Sequence, residues 1–188
     1  LSEAFGWRSK AVNYLKIRGG WSQVGADANP YQLATVFTSE TAFNGNPLQS
    51  SSTIGMNSNL KPENTSSIEA GFEAAFWDNR LCLDFTYYKT DSRNQILKLA
   101  TTAASGYTSQ VRNAGHIRNR GYEIQLGAVP IQTSKGFRWN LDLNYGANSS
   151  KVVKLDDEGL ITSYQLYSSG IQILASVGEA YGTLFGTS

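Results

Sequence analysis

The sequence predicts an all-β chain of antiparallel β-hairpins forming part of a transmembrane β-barrel, with long outer loops and short periplasmic turns. Three observations carry this. Apolar and polar residues alternate with a period of two along much of the chain. Two alternating runs within residues 60–96 stay in register across a two-residue turn at Asp78-Asn79. The connections between runs follow the order long, tight, long, short, long.

The hairpin is the firmest element. Asp78 and Asn79 both tolerate the left-handed backbone that tight hairpins require. Since 78 + 79 = 157, residue i on the first strand faces residue 157 − i on the second. Phe76 then faces Leu81, Ala74 faces Leu83, Phe72 faces Phe85 and Ala70 faces Tyr87, giving an apolar face. The other face sets Ala75 against Cys82, Glu73 against Asp84, Gly71 against Thr86 and Glu69 against Tyr88. No helical reading keeps both faces consistent. Each outward run covers about ten residues, close to the ~9–11 that a tilted strand needs to cross a bilayer. Glu73 opposite Asp84 is unfavourable, and a dry interior would magnify the repulsion. A water-filled lumen screens the pair and can supply cations from other strands.

Composition sets the outer limits. Charged residues make up 16% of the 188, against ~25% in typical soluble domains, while aromatics reach 12% and glycine 18 residues. This fits strands that show lipid on one side, and it also fits a secreted β-sandwich. A net charge of +1 gives no basic stripe, so no nucleic-acid partner is expected. The lone Cys82 excludes an internal disulfide framework. No apolar run is long enough for a membrane helix, and Leu1-Ser2-Glu3 does not begin a signal peptide. The expectation is an excerpt of a longer protein: one partial barrel domain over residues 1–188, with no plug domain and no signal peptide.

In chain order, residues 12–24 alternate cleanly, with Leu15, Ile17, Gly19 and Trp21 on one face and Lys16, Arg18, Gly20 and Ser22 on the other. A short strand around Phe5-Gly6-Trp7 is expected to precede them. Residues 25–63, rich in Asn, Ser, Gly and Thr, form the first long loop, with Asn44-Gly45 inside it. Long structureless loops in compact domains are usually functional. After the organising hairpin comes a second long loop, about 93–116, in which Ile96, Leu97 and Leu99 prolong a strand and 101–113 is looped. Residues 117–129 form the next strand, with Tyr122, Ile124, Leu126 and Ala128 outward and Gly121, Glu123, Gln125 and Gly127 inward. A short link, 130–136, leads into 137–147, where Phe137, Trp139, Leu141, Leu143 and Tyr145 alternate with Arg138, Asn140, Asp142, Asn144 and Gly146. A third long loop covers about 150–170, and the apolar run 171–186 closes the chain.

Segregation of long and short connections is the habit of outer-membrane barrels, whose periplasmic turns are short and outer loops long. Aromatics near strand ends, Trp21, Trp77, Tyr87, Tyr88, Trp139 and Tyr145, suit interfacial girdles. Pattern and charge favour the barrel. The alternative that composition leaves open is a soluble, secreted β-sandwich that binds carbohydrate or acts as an adhesin.

The residues also carry a family resemblance. The run Leu60-Lys61-Pro62-Glu63, continuing through Ile68-Glu69-Ala70-Gly71-Phe72-Glu73, resembles a segment of TonB-dependent outer-membrane transporters. Asn79-Arg80-Leu81 with Asp84-Phe85-Thr86-Tyr87-Tyr88-Lys89, and Asn113-Ala114-Gly115 with Asn119-Arg120-Gly121-Tyr122-Glu123, are similar to the SusC/RagA branch in particular. Leu15-Lys16-Ile17-Arg18-Gly19-Gly20-Trp21 and the closing Val177-Gly178-Glu179-Ala180-Tyr181-Gly182 fit the same branch, so the resemblance covers nearly the whole chain in family order. It implies the C-terminal half of a ~22-stranded, plugged barrel. It also implies import of oligosaccharides or peptides across the outer membrane of a Gram-negative, Bacteroidota-type bacterium. The implied partners are a SusD-like surface lipoprotein and TonB, the latter engaged through a missing N-terminal region. The implied function is transport rather than catalysis, with no cofactor.

Candidate sites have bland competitors. His116, the sole histidine, has no nucleophile placed beside it and reads as a loop-end polar residue. Asp156-Asp157-Glu158 lacks EF-hand spacing and reads as a solvated loop tip rather than a calcium site. Carboxylates that would imitate a glycosidase pair are explained by alternation alone, so no catalytic and no metal site is expected. The alternation instead places Lys16, Arg18, Glu69, Glu73, Asp84, Glu123, Gln125, Asn140, Asp142 and Asn144 toward a lumen. For substrate, aromatic faces beside directed polar groups are needed. Tyr31, Phe37, Phe43 and Tyr107, in the outer loops, have that composition, with loop packing as the competing role.

Overall fold

The computed structural model describes residues 11–156, 159, 161–169 and 171–186. The strand expected at Phe5-Gly6-Trp7 and the acidic residues Asp157 and Glu158 lie outside them. Thirteen strands are described: β1 Val12–Ala26, β2 Phe37–Phe43, β3 Asn46–Ser51, β4 Ile54–Gly55, β5 Glu63–Phe76, β6 Leu81–Arg93, β7 Ile96–Ala100, β8 Ser109–Asn113, β9 His116–Gln132, β10 Arg138–Lys154, β11 Ser163–Ser169, β12 Ile171–Ser176 and β13 Tyr181–Phe185. Among the described residues one 3-10 turn, Ala103–Ser105, interrupts them. The long strands form a five-stranded sheet in the order β1-β5-β6-β9-β10. The chain divides into two compact units. One comprises Leu1–Ser22, Ser66–Thr90 and Asn119–Ser150, and the other Gln23–Thr65, Asp91–Arg118 and Lys151–Ser188.

In the first unit the β5–β6 hairpin turns at Asp78-Asn79. Their φ values of 57° and 62° are the left-handed pair that a two-residue turn requires, and Arg80 N–H donates to Trp77 O across 3.1 Å. The expected register is observed. The Phe72 and Phe85 rings lie 5.7 Å apart, and the Ser67 and Thr90 hydroxyls 3.0 Å apart. Both pairs satisfy the 157 rule. β1 runs antiparallel to β5, with Trp77 N–H donating to Ala11 O at 3.1 Å. β9 joins β6 where Val129 N–H donates to Arg80 O at 2.8 Å. The link from β9 to β10 is tighter than 130–136. The strand runs on through Gln132, and the turn closes between Thr133 and Phe137 with Gly136 at φ 93°. Pro130 lies beside the β5–β6 turn, just before β6 begins, and its carbonyl accepts from Arg80 Nη2 at 3.4 Å.

The second unit departs from several expectations, and β11 at Ser163–Ser169 lies inside the loop expected over about 150–170. Residues 25–63 are not structureless: β2 and β3 form a hairpin around Asn44 (φ 51°) and Gly45 (φ 78°). Asn-Gly is the strongest short-range hairpin signal, and here it acts inside a stretch too polar to show strand alternation. Residues 109–113, expected in a loop, form β8, which pairs antiparallel with β7 and parallel with the two-residue β4. β10 extends through Lys154 instead of ending near Ala147. Further along, β11, β12 and β13 make an antiparallel sheet. The small core here joins Val152 (0% exposed), Leu155 (1%) and Ala175, with Ile161, Tyr164 and Leu166 packed against it. Gly178, at φ 92°, makes the turn that splits the expected single run 171–186 into two strands.

Candidate functional site

The first unit presents two unlike faces. One carries Ile17, Trp139, Leu141, Leu143 and Tyr145, all exposed, with Trp21 at 68% and Leu143 at 53%. Phe72, Leu83 and Ile124 share this face by alternation and are half-buried, so they do not meet inside a closed body. No second layer covers these side chains among the described residues.

The opposite face is held by ions. Arg18 of β1 reaches across two strands. Its Nη1 donates to Glu73 Oε1 at 2.7 Å and Asp84 Oδ2 at 3.1 Å, and its Nη2 donates to Asp84 Oδ1 at 2.6 Å and to Thr86 Oγ1. Lys16 adds a 3.2 Å bond to Glu73. The cation that the Glu73–Asp84 pairing calls for thus comes from the neighbouring strand. These partners are about one-third exposed, so they organise the face more than they stabilise it. Glycine makes the arrangement possible. A Cβ on Gly71 would lie 3.1 Å from Arg18 Nε and 2.6 Å from Phe85 O. One on Gly121 would meet Tyr88 Oη at 2.5 Å and Ala147 O at 2.6 Å.

A shallow depression of about 400 Å³ on this face is lined by Tyr14, Glu73, Asp84, Gln125, Asp142 and Asn144. Asp142 lies over Gly127, and Glu123 beside Gly146. Asn140 accepts a 2.9 Å bond from Arg138 Nε. Glu69 lies near enough to Arg18 to interact electrostatically. Cys82 has its Sγ 3.8 Å from Asn79 O.

The expected substrate aromatics separate. Tyr31 (74% exposed), Phe37 (67%) and Phe43 (67%) are open, whereas the Tyr107 ring lies against Gly55. His116 is not a loose loop end. It opens β9, is buried, and its Nε2 lies 2.7 Å from Asp91 Oδ1, which also accepts a 2.9 Å bond from Arg118 Nε. Sequence reasoning missed this trio. The only signal was that 91 and 118 occupy opposed positions on β6 and β9.

An antiparallel meander with a bare apolar face and an ion-paired polar face is the wall of a transmembrane β-barrel. The chain belongs to the TonB dependent receptor-like, beta-barrel family, whose model matches residues 4–174. It is 31% identical over 201 residues to TonB-dependent receptor P3 of Formosa agariphila, covering 98% of this chain and 20% of that protein. With TonB-dependent receptor SusC of Bacteroides thetaiotaomicron it shares 30% identity over 173 residues, 82% of this chain and 17% of that one. The fold matches a solved chain described as the RagAB peptide transporter with a TM-score of 0.76 at 22% identity, covering 95% of this chain and 19% of that chain. The segment is therefore of SusC/RagA type, and it spans about a fifth of the length of its relatives.

Proposed function

We propose that this chain is a wall segment of a TonB-dependent importer in the outer membrane of a Gram-negative, Bacteroidota-type bacterium, moving oligosaccharides or peptides inward without chemical change. The observation that carries the reading is the Arg18–Glu73–Asp84 network on the face opposite the uncovered apolar side chains. Charges one-third exposed in a hydrated passage, backed by a face that water disfavours, suit a channel wall. In this reading Lys16, Arg18, Glu69, Glu73, Asp84, Glu123, Gln125, Asn140, Asp142 and Asn144 line the lumen. Tyr31, Phe37 and Phe43 offer open aromatic faces to substrate or to a SusD-like lipoprotein at the outer surface, and TonB acts on parts of the protein beyond this segment.

The test uses the full-length protein in its own cell. Deletion of its gene is expected to abolish growth on one class of oligosaccharide or peptide as sole nutrient, with the tagged protein copurifying a surface lipoprotein. A Tyr31→Ala/Phe37→Ala/Phe43→Ala variant should reach the outer membrane normally and lower uptake by about tenfold, the effect of roughly 1.4 kcal/mol in lost contact. Unimpaired growth on every oligosaccharide and peptide source contradicts the reading.

A further inference from the structure

We propose that the second unit carries a seat for an acidic sugar, a glycan residue bearing a carboxylate or a sulfate ester, built from Lys98, Ser109, Gln165 and Gln172. The inference rests on the import reading above, which leaves oligosaccharide and peptide open, and it names an acidic oligosaccharide as the cargo.

The seat is a hollow of about 590 Å³ between the two three-stranded sheets of that unit. β7 and β8 form one side. Their register sets Ala100 opposite Ser109 and Lys98 opposite Val111, so Lys98, Ala100 and Ser109 share a face. β11 and β12 form the other side. Gln165 pairs with Leu174, and Ser163 and Gln172 each lie two residues away along the same strands, so these four share a face as well. Behind them Tyr164 and Ala175 pack with Val152 and Leu155, which holds this wall in place. In the import reading both sides come from stretches that lie outside the membrane.

Ser109 marks the hollow as a site. It is only 7% exposed, and its Oγ has no hydrogen-bond partner among the described residues. Buried hydroxyls are almost always bonded, so one left open on the wall of a hollow points to a ligand that completes it. Lys98, Gln165 and Gln172 stand exposed around it. Serine hydroxyls and glutamine amides both donate and accept, as the clustered hydroxyls of a sugar do. Ala100, Ile161 and Leu174 offer apolar contact to the C–H face of the ring. Lys98 is the one charge in the lining: no carboxylate stands there, and none of the described ion pairs includes Lys98. A cation set among neutral donors with no acid beside it favours an anionic group on the sugar. An extended peptide would bind through a free strand edge. β8 and β12, which carry Ser109 and Gln172, are each paired on both sides.

The test uses the full-length transporter purified in detergent, with binding read by isothermal titration calorimetry. The probes are a galacturonate tetrasaccharide, a sulfated galactose tetrasaccharide, a neutral galactose tetrasaccharide and tetraglutamate. One of the two acidic sugars should bind about tenfold more tightly than the neutral one, and which one it is tells carboxylate from sulfate. Lys98→Ala should erase that preference, Lys98→Arg should keep most of it, and Lys135→Ala in the other unit should change nothing. Ser109→Ala should weaken binding of the preferred sugar about tenfold without lowering the urea midpoint of the ligand-free protein, since the hydroxyl has no bond to lose. No preference for acid, a preference untouched by Lys98→Ala, or tighter binding of tetraglutamate than of either acidic sugar overturns the seat. So does a lowered midpoint for Ser109→Ala, which would make the hydroxyl structural. Growth of the deletion strain separates the two levels. Growth lost only on a neutral glycan or a peptide overturns the seat and leaves the import reading standing, whereas unimpaired growth on every source overturns the import reading itself.

Discussion

Arg18 grips Asp84 with both arms of its guanidinium, at 2.6 and 3.1 Å, while the second arm also holds Glu73 at 2.7 Å. One arginine thereby reconciles two carboxylates that hairpin geometry sets face to face. Replacing it should hurt through what it leaves behind, because Glu73 and Asp84 would then repel each other. The expected order of urea midpoints in the detergent-solubilised full-length protein is wild type, then Arg18→Ala/Asp84→Asn, then Arg18→Ala. Arg18→Lys should be intermediate, since an ammonium cannot grip in two places. A double variant no more stable than Arg18→Ala contradicts the account.

The glycines beneath these side chains give a second prediction. At Gly71 and Gly121 an added Cβ meets backbone oxygen at 2.6 Å, which cannot swing aside. Gly71→Ala and Gly121→Ala should each cost about 1–3 kcal/mol, the usual range for overpacking. At Gly146 the nearest atom is Glu123 Cγ at 4.0 Å, so Gly146→Ala should stay within about 0.5 kcal/mol. Denaturant unfolding of the three variants checks the ranking.

The turn supplies a third. Asp78 and Asn79 both hold positive φ, which a side chain disfavours and glycine does not. Asn79→Gly should raise stability by up to about 1 kcal/mol. Asp78→Pro should lower it by more than about 1 kcal/mol, because proline fixes φ near −65°. Unfolding midpoints that move together in one direction would show that this turn does not set the register.

The two faces give a fourth. Leu143 and Asn144 are neighbours in β10 and point to opposite sides of the sheet. An arginine on a lipid-facing position near mid-membrane costs about 2–4 kcal/mol, so Leu143→Arg should sharply reduce folded protein in the outer membrane. Asn144→Arg should change stability by no more than about 0.5 kcal/mol. Equal effects would mean that both sides meet the same medium.

What the sequence disclosed follows from where its information lies. The β5–β6 register was legible because a turn of two residues fixes every opposed pair beyond it, as the Phe72–Phe85 contact shows. The need for a cation near Glu73 was legible too, but Arg18 as its source required knowing that β1 lies beside β5. The β2–β3 hairpin was hidden because Thr38, Ser39 and Glu40 alternate polar with polar, leaving the Asn44-Gly45 turn as the only clue. The pairing of Ile54-Gly55 with Ser109-Gln110 is parallel and long-range, so no local pattern announces it. Tyr107 looked like Tyr31 by composition, and only its place against Gly55 sets the two apart.

The central claim, that one face of these strands meets hydrocarbon and the other meets water, is tested most directly by single fluorescent labels in the full-length protein after Cys82→Ser. Cysteine is placed in turn at Leu83, Ile124, Leu141, Gln125, Asn140 and Asp142, labelled, and reconstituted with brominated lipid. The account predicts strong quenching at Leu83, Ile124 and Leu141 and little at Gln125, Asn140 and Asp142. Quenching that ignores this alternation, or reverses it, contradicts the account.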